Sequence, residues 1–80
     1  MKRIVFRVIP AGPRKWLIDG GPFAATERQH ATKAAAIGVA AAKGRALRDA
    51  GQLAQLMIHA SDGRFLNERT YGRDPRRSKG

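Results

Sequence analysis

The fold is decided by the stretch Gln55-Leu-Met-Ile-His-Ala-Ser-Asp-Gly-Arg-Phe-Leu-Asn-Glu-Arg-Thr-Tyr71, in which two β-prone runs flank Asp62-Gly63. Asp-Gly is typical of a two-residue type I′ hairpin turn, which needs positive φ at both central positions. Strand alternation predicts two faces, with Leu56, Ile58 and Ala60 on one, Gln55, Met57 and His59 on the other, and Leu66 joining one set across the turn. A lone hairpin is only marginally stable in water, so another part of the chain must cover its apolar face.

Two further strands are predicted near the N-terminus. Over residues 4–9 the alternation sets Ile4, Phe6 and Val8 against Arg3, Val5 and Arg7. The residues Pro10-Ala-Gly-Pro13 then break the ladder and reverse the chain into a second strand over residues 15–19, where Trp16 is expected to anchor the core. A third strand over residues 23–29 would follow, with an edge strand or an ordered loop as the alternatives.

One long helix is predicted between these strands and the hairpin. Thr32 offers an N-cap oxygen, the helical residues run over 33–49, and Gly51 ends the helix. A stripe of apolar and small residues would face the sheet, namely Ala36, Ile37, Ala40, Ala41, Gly44 and Leu47. The opposite side of the helix is rich in alanine and smooth.

The elements together predict the architecture β-β-(β)-α-β-β. We expect a two-layer α+β domain in which an antiparallel sheet of four or five strands is packed on one face by a single helix. The domain is expected to span residues 1–72, and residues 73–80 are expected to form a basic, flexible C-terminal tail because they carry no apolar side chain.

Composition limits the core and indicates the kind of partner. Leu, Ile, Val and Phe number 16 of the 80 residues, so the core is small. The formal net charge of +10 favours a polyanionic partner. The chain has no cysteine and no apolar run long enough for a signal peptide or a membrane span, which predicts a cytoplasmic protein.

Catalysis, metal binding and cofactor binding are not expected. His59, Ser61 and Asp62 are close in sequence, but the turn already explains Asp62 and no nucleophile elbow accompanies Ser61. The two histidines and the scattered carboxylates form no recognisable metal set, and no phosphate loop or dinucleotide fingerprint is present. We therefore expect a protein that is not an enzyme and has no small-molecule substrate.

The basic residues suggest a nucleic-acid interface. The prediction is a cationic platform on the sheet face that is turned away from the helix, formed by Arg3, Arg7, Lys15, Arg64, Arg69 and Arg73, with mobile phosphate contacts from Arg76 and Arg77 in the tail. Binding would be directed at phosphates, with low sequence specificity, on DNA or RNA. The alternative is a protein-interaction or adaptor module that docks or forms a homodimer through the alanine-rich helix face. Membrane-surface binding is not expected, because no strongly amphipathic basic helix is present.

Several segments resemble the small bacterial domain-of-unknown-function 2188 family. The resemblance rests on a tryptophan strand, Thr-Lys-Ala-Ala-Ala-Ile at residues 32–37, Leu-Met-Ile-His-Ala-Ser-Asp-Gly-Arg at residues 56–64, and Tyr-Gly-Arg-Asp-Pro at residues 71–75 with a final Lys-Gly. It covers nearly the whole chain. The resemblance supports the predicted fold and implies no activity.

Overall fold

The computed structural model describes residues 3–72 of the chain, so the predicted tail over residues 73–80 lies outside the described residues. The elements follow one another in the order β1 (Arg3–Pro10), β2 (Trp16–Gly20), a 3-10 turn (Ala25–Glu27), β3 (Gln29–His30), α1 (Lys33–Asp49), β4 (Leu53–His59) and β5 (Phe65–Tyr71). One helix and five strands confirm the predicted α+β class.

The sheet is mixed, so the prediction of an antiparallel sheet is wrong. Its strand order is β3-β2-β1-β4-β5, and the central pair β1 and β4 is parallel, with Phe6 opposite Leu56 and Val8 opposite Ile58. The other three pairs are antiparallel. The reason is that β3 runs in the same direction as β1, and α1 carries the chain back along the sheet before β4 begins. A helical return of this kind makes the next strand parallel.

The core lies between α1 and one face of the sheet. Its largest fully buried side chains come from the three central strands, with Phe6 and Val8 on β1, Ile18 on β2 and Leu56 on β4. Phe6 also contacts Phe23 edge to face, with ring centroids 5.1 Å apart. The predicted alternation of β1 and β4 is confirmed.

The helix has the predicted bounds and caps. The Thr32 hydroxyl accepts a hydrogen bond from the Ala35 N–H at 3.1 Å, and Gly51 follows the last turn with φ +83°. The predicted stripe faces the sheet, since Ala36, Ala40, Ala41 and Gly44 are buried, while Ile37 and Leu47 pack at its margin.

The third strand is much shorter than predicted. Only Gln29–His30 pairs with β2, and Ala25–Glu27 forms the 3-10 turn instead. Local bonds account for the difference, because the Glu27 carboxylate accepts from the Ala24 N–H at 2.9 Å and holds the chain in a turn. Phe23 is buried, and it lies in the loop between β2 and the 3-10 turn.

The hairpin lies where it was predicted, but its turn is of another type. The Gly63 N–H donates to the Ala60 carbonyl and the Ala60 N–H donates to the Arg64 carbonyl, which leaves a three-residue loop. Only Gly63 in this loop has positive φ, at +92°, whereas a type I′ turn would also need it at Asp62. The pairing of β4 with β5 has a bulge between Ile58 and His59. Leu66 has no cross-strand partner at this bulge and is exposed, so it does not join either set as predicted.

Candidate nucleic-acid interface

The face of the sheet away from α1, called here the open face, has no described element packed on it. Strand alternation and pairing assign it Arg3, Val5, Arg7 and Ile9 from β1, Leu17 and Asp19 from β2, Gln55, Met57 and His59 from β4, and Phe65, Glu68 and Thr70 from β5. Val5 is 40% exposed and Phe65 is 50% exposed. The open face therefore combines exposed apolar side chains with polar and charged ones.

The open face carries Arg3 and Arg7 as predicted, but it is not a cationic platform. Asp19 lies directly opposite Arg7 on β2, and Glu68 lies on the same face two strands away. Arg3 donates from Nη1 to Gln55 Oε1 at 3.0 Å. Two arginines and two carboxylates make the formal charge of this face zero.

Arg69 does not share the open face. It lies opposite Leu56, and cross-strand partners point to the same side of a sheet, so its Cα–Cβ direction is toward the helix side. Because β5 is an edge strand, Arg69 is nevertheless exposed. Arg73, Arg76 and Arg77 lie outside the described residues.

Lys15 and Arg64, the other predicted site residues within residues 3–72, lie at one end of the sheet. Because β1 and β4 are parallel, the turns that follow them lie at the same end, and β3 delivers the start of α1 to this end as well. The basic end, as we call it, contains Arg14, Lys15, Lys33 and Arg64. Lys15 and Arg64 are separated by three strand spacings, or about 14 Å.

Arg14 was not predicted as a site residue, and its backbone is unusual. It has φ +53°, the only positive φ of a non-glycine residue within residues 3–72. It lies in the turn after β1, where the Lys15 N–H donates to the Gly12 carbonyl at 3.1 Å and the Ala11 N–H donates to the Lys15 carbonyl at 2.9 Å. The left-handed region is unfavourable for long side chains and suits Gly or Asn better. The sequence pattern gives no signal for this conformation beyond the Pro-Ala-Gly-Pro turn.

Arg28, Lys33 and Lys43 contact other groups of the protein, and of these three Lys33 belongs to the basic end. The Arg28 guanidinium donates to the carbonyls of Ile18, Gly20 and Gly21 at 2.8–3.0 Å, and so closes the loop after β2. Lys33 and Lys43 each lie over an aromatic ring, Trp16 and Phe23 respectively, with Nζ 5.6 and 5.4 Å from the ring centroid. The role of Arg28 was missed because the carbonyls that it binds become a cluster only after the chain turns at Gly20-Gly21.

Few basic residues are neutralised by carboxylates. Across the described part of the chain the ion pairs are Arg48–Asp49 at 3.2 Å and Arg64–Asp62 at 3.0 Å, both exposed. Such surface pairs contribute little to stability. Residues 3–72 contain eleven Lys and Arg and five Asp and Glu, so the positive excess of six lies outside the open face.

In the cluster of His59, Ser61 and Asp62, the side chains of His59 and Asp62 make hydrogen bonds to other residues of the hairpin. The Asp62 carboxylate accepts from the backbone N–H and the Nε of Arg64, each at 3.0 Å. His59 Nδ1 lies 3.0 Å from the Gly63 carbonyl, so Nδ1 carries the proton in that contact. None of these three contacts joins His59 to Ser61 or Asp62.

The described residues contain neither a cluster of metal ligands nor a membrane-spanning helix. Within residues 3–72 no group of three or more His, Asp or Glu side chains is arranged to hold a metal ion. The helix of the described region is too short and too polar to cross a membrane. The expectations of no catalytic role and of a cytoplasmic location stay predictions.

The fold and this surface define a small α+β protein with one helix on a mixed five-stranded sheet and a basic end. A family model described as "Uncharacterized protein conserved in bacteria (DUF2188)" matches residues 6–71, and the chain belongs to this family. The resemblance found in the sequence is thereby confirmed. Searches of curated proteins and of solved structures gave no match.

Proposed function

We propose that the protein binds nucleic acid through phosphate contacts made mainly at the basic end, with low sequence specificity. The observation that carries the proposal is the charge distribution: four basic side chains meet at one end, and Asp62 is the carboxylate that accompanies them. Cations placed against phosphates release condensed counterions, which gives binding that depends strongly on salt.

The spacing of the basic end suits a duplex better than a single strand. About 14 Å separates Lys15 from Arg64 across the sheet, and each strand of a duplex advances about 3.4 Å per phosphate along the axis. The two turns therefore span several phosphates along the axis of a rigid duplex. Of the aromatic rings at this end, Trp16 is half-buried and covered by Lys33, whereas Phe65 is 50% exposed and contacts His59 edge to face. One exposed ring offers less surface for base stacking than the successive rings typical of single-strand binders.

The conformation of Arg14 supports the same proposal. A strained non-glycine residue costs about 1 kcal/mol or more, and such residues cluster at functional sites. Glycine would adopt φ +53° more easily, and a functional role of the side chain is one reason for an arginine at this position. Phosphate binding by an exposed guanidinium is such a role.

The test compares two double variants that each remove two positive charges. Arg14→Gln with Lys15→Gln alters the basic end, and Arg45→Gln with Arg69→Gln is the control, because Arg45 lies about 18 Å further along α1 than Lys33. Fluorescence anisotropy with a labelled duplex of mixed sequence should show weaker binding by the first variant, and its log–log salt slope should be shallower by about 2. The control should change the slope by less than half of that.

Equal slopes for the two double variants would contradict the proposed location and leave only a general charge effect.

The alternative of an adaptor that docks through the alanine-rich helix face has less support. The exposed positions of that face, including Ala35, Gly38, Ala42 and Ala46, are too small to bury much apolar area.

A further inference from the structure

The open face needs a different partner from the one that fits the basic end. It presents the exposed Val5 and the partly exposed Ile9, Leu17 and Met57 beside charges that sum to zero, on a protein whose net charge is +10. A polyanion gains little on a neutral face, whereas apolar side chains beside charges of both signs suit a contact with another protein. The open face is thus independent of the proposed nucleic-acid function.

We propose that the open face binds the open face of a second copy of this chain. The pairing of β1 with β2 carries the argument, because it places Arg7 opposite Asp19 and Ile9 opposite Leu17. Within residues 3–72 no ion pair joins Arg7 to Asp19, so both charges are available to a partner.

A two-fold axis that runs parallel to the strands, between β1 and β2, makes this face complementary to itself. Such an axis preserves the position along the strand and exchanges the two strands. Residues that are cross-strand partners in one copy then face each other across the interface. Arg7 lies over Asp19 of the second copy, Ile9 lies over Leu17 of the second copy, and both contacts occur twice. Two sheets packed about 10 Å apart bring such side chains into contact.

The overlap is small, so the dimer is expected to be weak. In this arrangement β1 lies over the five residues of β2 in the second copy, a length of about 17 Å, and β4 lies over the two residues of β3, a length of about 7 Å. With neighbouring strands about 4.8 Å apart, the flat area is about 220 Å² per copy. Even with side-chain relief the total stays below the value of about 1,000 Å² for a stable interface, which is typical of a transient contact. We expect a dimer that forms at high protein concentration and dissociates on dilution.

Charge reversal tests the arrangement. Sedimentation equilibrium should show a monomer–dimer equilibrium for the wild-type protein. Arg7→Glu and Asp19→Lys should each raise the dimer dissociation constant at least about tenfold, because each sets like charges against each other. The double variant, Arg7→Glu with Asp19→Lys, should recover to within about threefold of the wild type, since both contacts regain opposite charges.

Controls separate this interface from the others. Ala46→Glu, on the exposed side of α1, should leave the equilibrium unchanged. Leu17→Gln, which removes apolar contact and no charge, should weaken the dimer whether or not the charge variants fold. Circular dichroism verifies the fold of each variant. A wild-type protein that stays monomeric near millimolar concentration, single reversals without effect, a folded double variant that does not recover, or a dimer broken by Ala46→Glu would each overturn the proposal.

Discussion

At several positions of this small protein, the residue type is determined by the close approach of another part of the chain or by an unusual backbone conformation. Gly44 lies on the buried side of α1, where a Cβ atom would collide with the ring of Tyr71 on β5. Gly38 lies on the exposed side of the same helix, where a Cβ atom would meet nothing within 4 Å. Both glycines lower the helix propensity, but only Gly44 has a packing reason.

These two glycines give a matched prediction. Gly38→Ala should raise the free energy of unfolding by about 1 kcal/mol, which is the gain in helix propensity. Gly44→Ala has the same gain but must displace the Tyr71 ring, since the three nearest atoms all belong to it. We expect a net loss of about 1–2 kcal/mol. Urea unfolding checks both values, and a stabilising Gly44→Ala would show that the ring is not held against the helix.

At the scale of elements, the sequence predicts local structure better than strand order. The helix was predicted from a cap, a stripe and a terminal glycine, all of which lie within one segment. The parallel pairing of β1 with β4 joins residues about 50 positions apart, and alternation alone cannot reveal it. The turn type was also missed, because Asp-Gly fits both a type I′ turn and the last two positions of a three-residue loop.

The hairpin turn gives a prediction at this scale. Gly63→Ala should lower the free energy of unfolding by about 1 kcal/mol, because Gly63 has φ +92° and a Cβ atom is unfavourable there. Gly63→Asn should cost less, since asparagine tolerates the left-handed region better than alanine does. A Cβ atom at Gly63 would meet nothing within 4 Å, so steric contact does not confuse the comparison. Equal unfolding energies for both variants in urea would contradict the assigned turn conformation.

At the scale of the whole molecule, charge and apolar surface lie in different places. The open face has a formal charge of zero and carries apolar side chains such as Val5 and Phe65, whereas the basic end brings together cations from two turns and the start of α1. Part of this was predicted, because the positions of Arg3 and Arg7 follow from alternation. Lys15 and Arg64 were predicted on the open face, with Lys15 in the second strand, but they lie in the turns before β2 and β5. The two turns lie at the same end of the sheet because β1 and β4 are parallel. The position of Arg69 depends on the pairing register, which sequence alone left open.

The separation of the two surfaces is consistent with both proposals. A dimer formed through the open face would bury neutral surface and leave the basic ends of both copies accessible. Nucleic-acid binding would then be strengthened by two attached sites, provided that one duplex reaches both.

The central claim, that the protein binds nucleic acid through phosphates, is tested most directly by the salt dependence of wild-type binding to a duplex. Anisotropy titrations of DNA and RNA duplexes from low to physiological salt should give affinities that fall linearly on a log–log plot. Four phosphate contacts at the basic end predict a slope of about −3.6 for DNA, steeper if residues outside 3–72 also bind. The absence of binding at low salt, or binding whose affinity does not change with salt, would contradict the claim.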